Sequence, residues 1–305
     1  MQHLLAFMLL SAPLQAKNPT ELGKVHWQRD LDAALALSKK SGKPVFALFQ
    51  EIPGCSTCQN FGSGPLSQPL LVEAIETEFV PLAIYNNRKG KDSQVLKRFG
   101  EPSWNNPVVR FLGSDGKDVI KRRDRVWKTG GIAKRMVDAL SAASRPVPGY
   151  LDAVVQEHSE RKEKTTFAMH CFWDGEARLG AMDGVIATRA GHVGGAEVVE
   201  LTFAPGRTGI GKLLKAARGQ GCASRVFAQS KDQYEAAKAI IGDSARLLTT
   251  AIRPAKSSDQ KFALRRSRYA KLDLTPFQQT KVNAALRLGK TPDKWLSPRQ
   301  LAKIK

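Results

Sequence analysis

Two cysteines stand one helical turn apart in Cys55-Ser56-Thr57-Cys58, and a third opens Cys171-Phe172-Trp173. The fourth, Cys222, follows a glycine-rich stretch, Gly219-Gln220-Gly221, and the chain has no other cysteine. A C-x-x-C pair suits thiol–disulfide exchange, in which one thiolate attacks and its neighbour resolves the mixed disulfide. A lone thiol in a separate half of the chain from such a pair argues for electron relay by thiol chemistry. Four cysteines in 305 residues are too few for a disulfide scaffold. The other reading of the pair is half of a zinc site, but no second C-x-x-C or histidine pair completes it.

The segments around these thiols set their chemistry. Residues 25–41 read as a helix, with Leu31, Ala34, Leu35 and Ser38 in register and Asp30 as cap, ended by Gly42-Lys43-Pro44. Val45 to Phe49 reads as a buried strand, followed by Ile52-Pro53-Gly54 and a helix opened by Cys55. There the helix amides and dipole favour a thiolate. Phe79–Ile84 and Asn106–Leu112 read as further strands, and Gly113-Ser114-Asp115-Gly116 as a turn leading into another. Ser144-Arg145-Pro146-Val147-Pro148-Gly149 reads as a hinge, followed by a charged helical lead-in from Tyr150 to Lys164. Thr165–Met169 reads as a strand, Gly175–Met182 as a helix and Gly184–Thr188 as a strand, so Cys171 also sits at a strand-to-helix junction.

The order strand, C-x-x-C, helix, strand, Pro-strand, turn, strand resembles the thioredoxin fold. In that family a cis proline faces the C-x-x-C, and Pro107 stands at the matching place. Ile52-Pro53-Gly54-Cys55 also resembles a thioredoxin-like family with the motif Val-Pro-Gly-Sec-x-x-Thr. Cys55 takes the selenocysteine position, while Cys58 stands where that motif has Thr, which implies a dithiol site.

Cys171-Phe172-Trp173, Glu176, Gly184-Val185 and Ala190-Gly191-His192-Val193-Gly194-Gly195 together resemble the signature of methionine sulfoxide reductase A. The resemblance implies that Cys171 attacks the sulfoxide sulfur, that Phe172 and Trp173 form the S-methyl pocket, and that a carboxylic acid protonates the oxygen. It gives Glu197 as the candidate acid, with Glu176 as the other carboxylate. Glu176 could instead only favour the start of a helix, and Trp173 could belong to the core. The departures are specific. His170 replaces a Gly, and His192 replaces a Tyr that binds the oxygen. The loop after Gly195 is shorter than the family's by roughly fifteen residues. Arg225 is retained, but Gly219 and Ser224 stand where Asp and Tyr would be. Cys222 is either a thiol that resolves a Cys171 sulfenic acid or a small buried hydrophobe.

The expected fold class is α/β (α+β): a thioredoxin-like domain, a reductase A-like ferredoxin-type α/β domain, and a basic helical tail. The expected boundaries are 1–16 for a signal peptide, 17–146, 147–272 and 273–305. Leu4 to Leu10 form an apolar run and Ala16 precedes Lys17, so export, to a periplasmic setting, is expected. No stretch reaches transmembrane length. The net charge is +20, and residues 251–305 hold 14 Lys/Arg against 3 Asp. That tail either docks on the second domain, touches an anionic surface or is simply solvated. No aromatic-basic motif points to nucleic acid, and no cofactor or metal is implied. The expected activity is reduction of methionine S-sulfoxide in proteins or peptides, with Cys55/Cys58 as tethered reductant fed by an upstream thiol donor. The alternative is a thiol–disulfide oxidoreductase whose second domain only binds a peptide or partner.

Overall fold

The computed structural model describes residues 18–104, 107–221 and 224–304. The expected signal peptide therefore lies outside the described residues. The first half opens with α1 (Leu31–Ser41), capped by Asp30 through Ala33 N–H, and β1 (Val45–Gln50). It continues with α2 (Ser56–Ser63), α3 (Pro69–Glu78), β2 (Val80–Tyr85), α4 (Lys91–Phe99), β3 (Val108–Leu112) and α5 (Thr129–Ala142). The sheet order is β2-β1-β3, with β1 parallel to β2 and antiparallel to β3. Central β1 has no polar residue before Gln50 because both faces are covered. Phe46 and Leu48 enter one core, and Val45, Ala47 and Phe49 enter the other.

The strand expected after Gly116 does not form. The turn is there, with Gly113 N–H on Lys117 O and Val119 N–H on Phe111 O. Pairing then ends in a single bridge between Leu112 and Asp118. The next residues, Lys121-Arg122-Arg123-Asp124-Arg125, have no apolar alternation to place against a core.

The lead-in helix is shorter than expected: α6 spans Gly149–Glu157, and β4 already begins at Glu163. β4 (Glu163–Ala168), α7 (Phe172–Gly180), β5 (Val185–Val193), β6 (Ala196–Phe203), α8 (Ile210–Gly219) and β7 (Arg225–Ala228) follow. They pair in the order β7-β4-β6-β5, each contact antiparallel. This is the β-α-β-β-α-β ferredoxin-like arrangement. α9 (Lys231–Ile241), β8 (Ala245–Leu247) and β9 (Arg253–Pro254) extend it, the two strands flanking the sheet edges. The chain is thus a mixed α/β protein, as its sequence implies.

α10 (Phe262–Arg265), α11 (Pro276–Arg287) and α12 (Pro298–Ala302) close the chain. The tail docks rather than standing in solvent. Phe277 and Val282 are fully buried, and Phe277 packs with Ala153, Ile186 and Ala204. Arg299 N–H donates to Glu73 Oε1 at 2.7 Å and its guanidinium pairs with Glu76, tying α12 to α3. Among the described residues, no helix is long and apolar enough to cross a membrane.

Candidate active sites

The first site is built where β1 gives way to α2. The Ile52–Pro53 bond is cis, and Asn87 holds the turn from both sides. Ile52 N–H donates to Asn87 Oδ1 at 3.1 Å, and Asn87 Nδ2 donates to Pro53 O at 3.1 Å. Glu21, itself buried, accepts Gly54 N–H at 2.9 Å. A Cβ on Gly54 would fall 2.4 Å from Glu51 O and 2.6 Å from Cys58 Cβ, so only glycine lets the loop lie on the thiol pair.

Cys55 is the N-cap residue of α2 and is exposed; Cys58 is buried one turn on. Their sulfurs are 3.6 Å apart, a dithiol without a bond. The pair is asymmetric. Backbone donation from Cys58 N–H, with burial opposing, holds the Cys55 thiol below its ordinary range. Burial, then the hydrogen bond with Cys55, pushes Cys58 up to about 12. The accessible thiol is therefore the better thiolate and its partner stays protonated until exchange begins. A Glu51 carboxylate oxygen and both sulfurs lie within 4.8 Å of one another, three donors where a closed zinc shell takes four. Pro107 directly precedes β3, its carbonyl accepting Trp127 Nε1–H at 3.0 Å. The peptide bond before it begins at Asn106, outside the described residues.

The second site is built on the ferredoxin-like sheet. Cys171, half-buried, is the N-cap residue of α7, three residues beyond β4. The helix starts at Phe172, earlier than the sequence reading placed it. A two-residue turn, Gly194-Gly195, joins β5 to β6; both glycines have positive φ, as a tight hairpin of right-handed twist requires. The hairpin sets His192 opposite Glu197. Glu197 Oε2 accepts Phe172 N–H at 2.7 Å, while Glu197 O accepts Met169 N–H at 2.8 Å. The carboxylate is thereby fixed at the peptide unit joining Cys171 to Phe172. Phe172 lies edge-on to Trp173 at 5.8 Å and to His192 at 5.7 Å. Trp173 Nε1 and His192 Nδ1 are buried and find no hydrogen-bond partner among the described residues. His170, next to the thiol, is exposed.

Glu176 sits elsewhere. It is fully buried, and its Oε1 accepts Thr188 Oγ1–H at 2.9 Å and Lys261 Nζ at 2.6 Å. Its Oε2 accepts Lys261 N–H at 2.9 Å. A carboxylate so committed anchors α7 to β5 and the C-terminal segment; removing Lys261 would leave a buried charge unpaired, at a cost of about 3–5 kcal/mol. Sequence reasoning missed Lys261, which lies 85 residues from Glu176 inside a basic stretch. It also missed Phe262, stacked on Trp173 at 4.2 Å between ring centroids, with the Arg266 guanidinium 3.5 Å from the Phe262 ring centroid. Glu21 and Asn87 of the first site carried no signal, being 33 and 34 residues from the atoms they hold.

Cys222 lies outside the described residues. Ser224, two positions later, donates its N–H to Ala168 O at 3.1 Å, three positions before Cys171.

Residues 26–114 match a family model described as thioredoxin-like. A peptide methionine sulfoxide reductase MsrA from Methanothermobacter thermautotrophicus is 39% identical over 71 residues, covering 18% of this chain and 42% of that protein. The MsrA of Geobacter metallireducens is 37% identical over 70 residues, covering 17% of this chain and 43% of that protein. The chain thus spans less than half the length of these curated relatives. A solved structure, DsbH Oxidoreductase, is 18% identical and covers 44% of this chain and 94% of its own, with a TM-score of 0.33.

Proposed function

We propose that this chain is a thiol oxidoreductase that reduces methionine S-sulfoxide in polypeptides at Cys171 and is recharged by the Cys55/Cys58 dithiol. The observation that supports the reading is Glu197 Oε2 on Phe172 N–H at 2.7 Å, which fixes a carboxyl at the peptide unit joining Cys171 to Phe172. Its Oε1 makes no protein hydrogen bond among the described residues and is free for a substrate oxygen.

In this scheme the Cys171 thiolate forms a bond to the sulfoxide sulfur while the protonated Glu197 carboxyl gives its proton to the oxygen. The hydroxyl then passes from the methionine sulfur to the Cys171 sulfur: the old S–O bond breaks as the new one forms, the S–S bond to the methionine breaks, and the thioether leaves a Cys171 sulfenic acid. A second thiol attacks that sulfur and water departs, leaving a disulfide. Exchange with Cys55 then returns Cys171 to the thiol, and Cys58 closes the Cys55–Cys58 disulfide. The sum is one sulfoxide and two thiols to one thioether, one disulfide and water. Phe172, Trp173 and His192 supply the wall for the methyl group and the oxygen. Cys222 is the second thiol in this reading, supported by the Ser224 to Ala168 hydrogen bond near Cys171. Domain limits of 17–146, 147–272 and 273–305, export to the periplasm and an upstream thiol donor belong to the same proposal.

Methionine sulfoxide turnover with dithiothreitol tests it. Wild type is expected to turn over and Cys171→Ser to be inactive; an inactive wild type would sink the reading. The polarised Cys55/Cys58 pair favours a second reading, disulfide reduction alone, with the other half a partner-binding module. Insulin reduction by the wild type, lost in Cys55→Ser, without any sulfoxide turnover, would select it.

A further inference from the structure

The turn between β1 and α2 holds a third donor beside the dithiol. Glu51, the residue after β1, is half-buried, and one of its carboxylate oxygens lies within 4.8 Å of both Cys55 Sγ and Cys58 Sγ. Among the described residues that carboxylate enters no hydrogen bond and no ion pair. It gives the pair no help in exchange, since a like charge nearby disfavours a thiolate. Two thiolates and a carboxylate so close repel one another, and a divalent cation between them removes that repulsion.

The spacing is that of a chelate. Two sulfurs bound to one tetrahedral zinc at about 2.3 Å stand about 3.8 Å apart. Those of Cys55 and Cys58 are 3.6 Å apart. The same geometry asks for an oxygen about 3.6 Å from each sulfur. A rotation of the unpartnered Glu51 side chain supplies the remaining approach. Thiolates joined by a carboxylate suit zinc. Magnesium and calcium take oxygen donors, and copper(I) takes sulfur and would pass the carboxylate by.

We propose that the reduced Cys55/Cys58 dithiol and Glu51 form an exchangeable zinc(II) site, and that bound zinc closes the dithiol to thiol–disulfide exchange. Two S–Zn bonds form, the two thiol protons go to solvent, and no electron is transferred. Three protein ligands leave a fourth position to water, the open arrangement and not the closed structural one. Cys55 is exposed, so the metal exchanges with solvent. Oxidation to the disulfide removes both sulfur ligands and releases the ion. The site uses neither Cys171 nor Glu197, so it is independent of sulfoxide reduction.

The test uses the full chain carrying Cys171→Ser and Cys222→Ser, so that only the two thiols of the site remain. Reduced protein, freed of reductant, is titrated with zinc chloride against a chromophoric zinc indicator, and with cobalt(II), whose absorption reports thiolate ligands and tetrahedral geometry. One equivalent of zinc is expected to bind, with tetrahedral cobalt bands and a sulfur-to-cobalt transition. Saturating zinc is expected to stop single-turnover reduction of oxidised glutathione, and EDTA to restore it. Glu51→Gln, of the same shape, is expected to weaken zinc by at least about tenfold, the loss that follows even when a group merely hydrogen-bonded to a ligand is removed. Diamide-oxidised protein is expected to bind none. No stoichiometric zinc, unchanged affinity in Glu51→Gln, glutathione reduction at full rate under saturating zinc, or zinc kept by the disulfide form would each overturn the proposal.

Discussion

Cys55 and Cys58 are chemically unequal because one caps a helix in the open and the other is enclosed beneath it. Alkylation by iodoacetamide should follow that difference. Cys55 is expected to react with a pH midpoint below that of a free thiol, and Cys58 to stay unreactive until the pH nears 12. Mass mapping of the labelled sites against pH reads this directly. A second titrating group lies at the far end of α7. Lys281 is buried, and its ammonium donates to two carbonyls, Gly180 O at 2.8 Å and Met182 O at 2.6 Å. Burial pulls it down to about 8 from its ordinary 10.5, against the opposing pull of Asp183. Between those values the unfolded chain holds the extra proton, so stability rises with pH. The full rise is on the order of 3 kcal/mol. Urea denaturation of Lys281→Met should show a flatter profile over the same window.

At the scale of elements, two glycine-bearing turns place the two thiol sites, for different reasons. Gly54 is required by crowding, while Gly194 faces open space and answers only to its positive φ. Gly54→Ala should therefore cost about 1–3 kcal/mol and slow disulfide reduction. Gly194→Asn should stay within about 0.5 kcal/mol, because asparagine suits the first position of such a hairpin. Denaturation midpoints at unchanged slope separate the two cases. The first of these turns, Pro53-Gly54 before a cysteine, was legible in the sequence because it is local; Gly194-Gly195 was quoted only within a family signature, and the hairpin it makes with β6 was not read. β1, the body of α1 after its Asp30 cap and the Cys171 junction were likewise legible because they are local, whereas residues 25–30, read as part of that helix, lie before it. The partners of Glu176 were not, since Lys261 and Thr188 meet it only through tertiary packing. Nor was the end of the first sheet, where a run of charges takes the place of the expected strand. The extent of β5 was also underread. Arg189 is exposed and Gly191 has no side chain, which obscures the alternation; Gly191 lets Arg253 of β9 approach closely.

For the whole molecule, the helix between the two sheets has the largest consequences. Tyr150, Leu151 and Val154 of α6 sit in the core of the first half, and Ala153 packs with Phe277, Ile186 and Ala204 of the second. The tail adds a further tie from Arg299 to Glu73 and Glu76. Losing the exposed Arg299–Glu76 pair alone should cost no more than about 1 kcal/mol. Phe277→Ala should cost about 3–5 kcal/mol, since it opens a cavity between the halves. Calorimetry of the two variants distinguishes them.

A flexible leash would present the dithiol to Cys171 at an effective concentration of order mM, and lengthening it would change that only slowly. α6 is not a leash. Packed on both sides, it holds the two halves in one arrangement, so under the proposed relay a Gly/Ser spacer inserted after Ser159 should alter the rate of Cys171 re-reduction abruptly. A graded, shallow loss with spacer length would instead mean that the halves come apart during turnover.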